Sequence, residues 1–313
     1  MKRIFPYTIT QEHNGVRIGD FLTQKGYSRH IRTYLKQHPG SVMLNHSPAF
    51  FYYLLKEGDL LTVCLIDEEP SEKIKPVSLP IHIIYEDEDL LIINKPADMP
   101  IHPSQGNYEN TLANGVAWYY ASRGIPFIYR CINRLDRDTT GLLILAKNML
   151  SSAILSAQMK RREIHRTYLA VVEGCIPESG TVCAPIGRVG DSVIERQIDE
   201  LYGDPAVTHY TRLSFREGGS FRGITDDTSV LSRGVSLVKL RLETGRTHQI
   251  RVHMTSIGHP LPGDTLYNPS TTLMKRQALH SHTLEFYHPI TGEFMTFTAP
   301  LPDDMASFFP EWL

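Results

Sequence analysis

The spacing of apolar residues changes character along the chain. In "IGDFLTQKGYSRHIRTYLKQHPG" they recur at Ile18, Phe21 and Leu22, then at Ile31, Tyr34 and Leu35, which predicts two short amphipathic helices. "VMLNHSPAFFYYLLKEGDLLTVCL" alternates instead. It breaks at Asn45-His46 and Gly58-Asp59, and predicts a small strand-turn-strand unit. "IDEEPSEKIKPVSLP" is polar, charged and proline-containing, as a linker is. The expected organisation is a small module over residues 1–70, a linker over 71–80 and a larger unit over 81–313.

From Ile81 the pattern is mainly that of strands. "IHIIYEDEDLLIINKPADMPIHP" predicts strand, acidic turn, strand and a proline-punctuated loop. Leu142 to Ala146 is apolar on both faces and predicts a central strand. Leu150, Ile154 and Ala157 fall at helical spacing before a basic run that suits a helix C-terminus. "RTYLAVVEG" is a second strand, with Arg166, Tyr168, Ala170 and Val172 on one face. Val238, Leu240 and Leu242 alternate with Lys239 and Arg241 in a half-buried strand. After Thr244-Gly245, Ile250, Met254 and Ile257 mark the apolar side of a short helix, with His248, Arg251 and Thr255 on another side. Gly258 is expected to cap it. The stretch Ser214 to Gly234 predicts a surface loop, and "RQALHSHTLEFYHPITGEFMTFTAPLP" a hairpin turning at Thr291-Gly292.

Composition narrows the class. At 313 residues, 41% hydrophobic and 21% charged, this is an ordinary globular chain, of one large domain or two smaller ones. Its net charge of −2 gives no global field for nucleic acid, so any such binding rests on local clusters of Lys and Arg. Cys64, Cys131, Cys175 and Cys183 are far apart and form no C-x-x-C pair, which suits a reduced compartment. The N-terminus lacks an apolar signal core, and there is no run of about 18 apolar residues, the length of a membrane span. A cytoplasmic protein is expected. His248 and His253 do not make H-E-x-x-H, and neither "GDPAVTHY" nor "TGRTHQ" matches a phosphate-binding glycine loop. Neither a metal nor a nucleotide cofactor is expected.

The candidate chemistry lies in "CINRLDRDTTGLLILAKN". Arg134, Asp136, Arg137 and Asp138 crowd the approach to the buried strand. A carboxylate there either accepts turn amides or acts as a nucleophile or general base flanked by guanidiniums. A guanidinium about 4 Å away contributes roughly 4 kcal/mol at an effective dielectric of 20. That favours an ionised Asp136 over a general acid. Asp138, beside Thr139, Thr140 and Gly141, is assigned to the turn. Tyr168 is either a core tyrosine tied to backbone or an aromatic platform and proton donor-acceptor for a base. Arg251, opposite an apolar helix face, requires a carboxylate or phosphate partner. His248 taken alone is as easily structural as functional.

Taken together these segments resemble the RluA family of pseudouridine synthases. "EDEDLLIINKPADMPIHPS", "NRLDRDTTGLLILAKN", "RTYLAVVEG", "ETGRTHQIRVHMTSIGHPLPGD" and "QALHSHTLEFYHPITGE" are similar to that family's motifs, in its order. "IGDFLTQKGYSRHIRTYLKQ", "VMLN" and "LKEGDLLTV" resemble the small RNA-binding module often fused in front. The resemblance implies an α+β fold: a mixed, largely antiparallel sheet with a central cleft, preceded by a small α/β module. It implies isomerisation of uridine to pseudouridine in ribosomal or transfer RNA, without a cofactor. Asp136 would be the catalytic aspartate, Arg251 its partner, and Tyr168 would pack on the target base. Arg134, Arg137, Lys95, Arg166, His248, Gln249, Arg29 and Arg32 would meet RNA, as would the run "KRREIHR". The chain is expected to act as a monomer. It departs from the family pattern at His46 and Asp98, where Gly is usual, at Asn133, where His is usual, and at Arg166, where Lys is common. The rival readings are an idle synthase domain that only binds RNA, and a hydrolase pairing Asp136 with Glu243.

Overall fold

Two sheets, each with its own apolar core, carry the predicted strands. The computed structural model describes residues 1–67, 71, 74–218, 232–269 and 273–312. The first sheet holds β1 (Lys2–Thr8), β2 (Val42–Leu44), β3 (Ser47–Pro48) and β4 (Leu60–Ile66), antiparallel in the order β1-β4-β2-β3. Helices α1 (Ile18–Gln24) and α2 (Arg29–Gln37) cover it, and Ile18, Phe21, Leu22, Ile31 and Leu35 are buried as their spacing predicts. Asn45 and His46 both adopt positive φ, +49° and +67°, the geometry of a tight two-residue hairpin turn. His46 accepts there a conformation that glycine adopts freely.

The second sheet contains nine strands among the described residues. They are β5 (His82–Glu86), β6 (Leu90–Lys95), β7 (Thr140–Ala146), β8 (His165–Glu173), β9 (Ser179–Cys183), β12 (Val207–Arg216), β13 (Val235–Leu242), β14 (Leu279–Tyr287) and β15 (Phe294–Thr298). Their order is β5-β6-β7-β14-β8-β13-β12-β9, with β15 on β14. A separate ribbon pairs β10 (Ile186–Arg188) with β11 (Arg196–Ile198). The remaining α-helices are α3 (Leu112–Ala121), α4 (Met149–Lys160), α5 (Gln249–Ser256) and α6 (Asp303–Ala306). Among the described residues none is long and apolar enough to cross a membrane.

Every residue of β7 is buried, as its unbroken apolar run requires. Full burial of each of its leucines contributes about 1.5–3 kcal/mol. β8 splits its faces. Tyr168, Ala170 and Val172 join one core cluster, and Leu169 and Val171 another.

Several expectations are corrected. The stripe Leu150, Ile154 packs on the small sheet's core, whereas Leu155 faces the large sheet, so α4 is wedged between the two. Periodicity reveals an apolar face but not its partner. Arg3–Asp89 and Arg130–Asp67 ion pairs, at 2.9 Å and 2.8 Å, fasten the same junction. Ile257 is exposed rather than part of the apolar side of α5. β1, where only Phe5 is buried, and α3 were not anticipated. Of the expected linker, 72–73 lie outside the described residues. Ile74 and Leu79 pack on the large core, and the Asn114 amide donates to the Lys75 carbonyl at 2.8 Å. Of the expected loop Ser214 to Gly234, Ser214–Arg216 continue β12, and 219–231 lie outside the described residues.

The site is anchored where β7 meets β14, a parallel contact with Gly141 opposite Ser281. Gly141 has φ +109°, and a Cβ there would lie 2.2 Å from the Ser281 carbonyl oxygen. Gly141→Ala is therefore expected to cost at least about 3 kcal/mol, because the strands must part to admit the methyl group. Urea unfolding of the two proteins measures this. An unchanged midpoint would contradict the close approach.

Candidate active site

Asp136 stands at the tip of a hairpin formed by the chain before β7. Ile132 N–H donates to the Ile144 carbonyl, and Ala146 N–H to that of Arg130, both at 2.9 Å. Asn133 Oδ1 accepts the Ile144 N–H, also at 2.9 Å. Thr139 N–H closes the turn on the Asp136 carbonyl at 3.1 Å. The carboxylate is thereby carried on the edge of the most buried strand.

Its partner comes from α5. Ile250 and Met254 fix that helix in the core, which turns Arg251 towards the hairpin. Arg251 Nη1 lies 3.0 Å from Asp136 Oδ2. Its other edge grips Asp264, with Nε–Oδ2 at 2.7 Å and Nη2–Oδ1 at 2.8 Å. Tyr267 places its ring 5.0 Å from the guanidinium carbon. Burial works against the Arg251 charge, but the Asp264 hydrogen bonds and charge, with those of Asp136, outweigh it and raise its pKa. Asp264 and Tyr267 were not anticipated as functional. The only signal was the phrase "GHPLPGD" at the end of the arginine motif.

Asp136, Tyr168, Arg166, Arg134, His248 and Arg251 all line one recess of about 70 Å³. It opens beside a cleft of about 990 Å³ whose wall includes Lys160, Arg162, His165 and Arg246. Among the described residues the Tyr168 hydroxyl has no protein hydrogen bond, unlike a core tyrosine tied to backbone. Arg134, Arg166 and Lys160 have no carboxylate partner among these residues, whereas Arg137 pairs with Asp138 at 3.0 Å and Arg162 with Glu243 at 3.2 Å. Asp138 serves the turn, its Oδ1 accepting the Asp98 N–H at 3.2 Å. Within "KRREIHR", Arg161 turns aside to Glu163.

Two expected RNA contacts, Lys95 and Gln249, are corrected. Lys95 is fully buried, and its ammonium donates to the Pro96 and Arg137 carbonyls at 2.8 Å each. It braces the hairpin tip from behind and does not reach the cleft. Gln249 is also buried. Its Oε1 accepts from Thr244 and the Arg246 amide, and its Nε2 donates to Val207 and Thr208, which uses its hydrogen-bonding capacity on the loop. Arg29 and Arg32 lie on α2 in the small module and line neither recess nor cleft.

The description "RNA pseudouridylate synthase" belongs to a family model that matches residues 89–256, which include Asp136, Tyr168 and Arg251. The chain belongs to that family. It is 40% identical over 290 residues to a Bacillus subtilis protein named as an uncharacterized RNA pseudouridine synthase, covering 92% of this chain and 96% of the relative. It is also 40% identical to ribosomal large subunit pseudouridine synthase D of Escherichia coli K12, over 76% of this chain and 72% of that one. A solved structure of human RNA pseudouridylate synthase domain containing 1 superposes with a TM-score of 0.57 at 26% identity, covering 74% of this chain and 88% of that chain. This synthase is therefore an RNA-modifying isomerase.

Its departures from the family pattern have local explanations. Asn133 is bonded to β7 backbone rather than directed at the carboxylate. Asp98 adopts φ +53°, the conformation glycine supplies, and tolerates it as a short polar residue can. Arg166 lies against Gly245, where a Cβ would come within 3.3 Å of its Nη2.

Burial pushes Lys95 from 10.5 down to about 7, against the opposing pull of Asp138 and Asp136. Between those values the unfolded chain holds a proton that the folded chain releases. The Lys95 contribution to stability is therefore lowest below pH 7 and rises towards pH 10.5. Lys95→Met removes this titration. The stability difference, wild type minus variant, is expected to grow from about pH 6 to about pH 9 in urea melts. A difference independent of pH would rule out a depressed Lys95.

Proposed function

We propose that Asp136 is the catalytic carboxylate of a uridine-to-pseudouridine isomerisation in large-subunit ribosomal RNA. The observation that carries this is the Arg251–Asp136 contact at the inner end of a cleft with unpaired cations. In the reaction the N1–C1′ bond breaks, the uracil turns, and a C5–C1′ bond forms. The C5 hydrogen leaves as a proton and N1 gains one, so product and substrate are isomers. Attack on the sugar, attack on the base and abstraction of a sugar proton would each use the Asp136 carboxylate, which Arg251 holds at 3.0 Å. Tyr168, with its hydroxyl unclaimed in the same recess, suits packing against the base.

A recess this small accepts a single base, so the uridine enters flipped or already unpaired. Arg134, Arg166 and Lys160 suit the flanking phosphates, and Arg29 and Arg32 suit a second RNA contact from the module over residues 1–70. The names of the relatives support a ribosomal substrate over transfer RNA. One chain supplies every residue of the site, which supports a monomer, and a ribosomal substrate supports a cytoplasmic setting. Glu243, the second acid a hydrolase would use, has its oxygens on Arg162 and His209.

The test maps pseudouridine at single-nucleotide resolution in RNA from cells lacking this chain, rescued with wild type or Asp136→Asn. One or a few large-subunit sites are expected to vanish and to return only with wild type. An unchanged map, or rescue by the variant, would falsify the assignment.

A further inference from the structure

Asp136 presents two oxygens in different situations. Oδ2 takes Arg251 Nη1 at 3.0 Å and lies 3.8 Å from His248 Nε2. Oδ1 has no protein partner among the described residues. His248 is largely covered and packs against Tyr267, its Nδ1 lying 2.8 Å from the phenol oxygen. That oxygen also lies 2.9 Å from the backbone nitrogen of Arg196 on β11. His248 itself has left-handed backbone, φ +57° and ψ +18°, at the N-terminus of α5.

The direction of these hydrogen bonds follows from chemistry. A backbone N–H only donates, so the phenol oxygen accepts from Arg196. The phenol's own hydrogen is then available to His248 Nδ1. A ring nitrogen that accepts carries no hydrogen, and a neutral imidazole keeps its one hydrogen on the other nitrogen. Neutrality is favoured because burial lowers the His248 pKa. Asp136 and Asp264 oppose that burial effect, and Arg251 and Arg196 assist it. Nε2–H therefore faces Asp136 Oδ2. The 3.8 Å separation is longer than a hydrogen bond, and such distances tighten when substrate is bound.

We propose that Tyr267 and His248 are positioning residues that aim an Nε2–H at Asp136 Oδ2, which leaves Oδ1 as the oxygen that meets the substrate. The proposal rests on Asp136 being the catalytic carboxylate. It also accounts for the left-handed backbone at His248, a strained conformation for a non-glycine residue that persists where the surroundings enforce it.

Two measurements test it. The first is ¹⁵N-histidine NMR of the free protein, with the His248 signals identified by their loss in His248→Gln. Wild type is expected to show the Nε2–H tautomer alone at His248. Tyr267→Phe, which keeps the ring beside Arg251, is expected to show a mixture. An Nδ1–H tautomer in wild type overturns the proposal.

The second is single-turnover tritium release from an unmodified large-subunit ribosomal RNA transcript labelled at uridine C5, with transcript affinity measured in parallel. Tyr267→Phe and His248→Ala are expected to slow the reaction about 10- to 100-fold, as misplacement of a reacting group does, with affinity within about twofold. His248→Gln, whose amide N–H reaches towards the same oxygen, is expected to recover most of the loss. Equal rates for His248→Gln and His248→Ala, or a loss confined to RNA affinity, overturn the proposal. If Asp136→Asn is inactive while the Tyr267 and His248 variants match wild type, this proposal alone falls. If Asp136→Asn is itself active, the reading of Asp136 falls and this one with it. A transcript that wild type leaves unmodified would remove the ribosomal assignment, and the spectra would still decide the tautomer.

Discussion

Arg251 brings a full positive charge into a buried position, and the geometry of the cleft follows from how that charge is satisfied. Removing a guanidinium from water costs several kcal/mol unless its partners are close and its donors are used. Asp264 meets that requirement along one edge, and is itself held by the Leu266 and Tyr267 amides at 3.1 Å. With Nε and Nη2 committed, Nη1 points in one remaining direction, where Asp136 stands. The two carboxylates are unequal. The Asp264 side chain is 1% exposed and that of Asp136 27%. One anchors the cation, and the other is held by it at the edge of the cleft.

A carboxylate held this way is useful only if its own backbone does not yield. The hairpin before β7 meets that need with groups buried behind it. Lys95 draws the Arg137 and Pro96 carbonyls together, and Asn133 binds the β7 backbone. On the opposite wall Gln249 closes the loop that leads into α5. In the sequence Lys95 and Gln249 look like candidates for RNA, and Asn133 like a departure from the family pattern. Each instead fixes one of the two backbones whose meeting creates the Asp136–Arg251 contact.

The strands and helices with strong periodicity were legible because burial imposes a period on them, as in β7, β8, α1 and α2. Of the candidate site, Asp136 and Arg251 were legible as two charges in motifs that needed partners, and they lie 3.0 Å apart. What was not legible depended on tertiary neighbours. A lysine at the end of β6 has the same local sequence whether its tip meets solvent or two carbonyls. The apolar stripe of α4 does not say which sheet it covers. Asp264 enters the site through a turn, with no period to mark it. β1 exists because β4 offers it an edge, and with only Phe5 buried its own pattern is weak.

The charge distribution has the same logic. The chain is nearly neutral, at −2, so it has little general attraction for RNA. Within the cleft the cations divide into two kinds. Arg137, Arg162 and Arg246, themselves exposed, are paired with carboxylates in contacts worth about 0–1 kcal/mol that a phosphate can displace. Arg134, Arg166 and Lys160 have no such partner among the described residues. Unpaired positive charge among the described residues thus lines this cleft, and Arg134 and Arg166 share the recess with Asp136. On the proposed reading, an RNA strand that meets these cations lies beside Asp136. On the proposed reading the phosphates meet a local excess of cations beside the carboxylate rather than a uniformly basic surface.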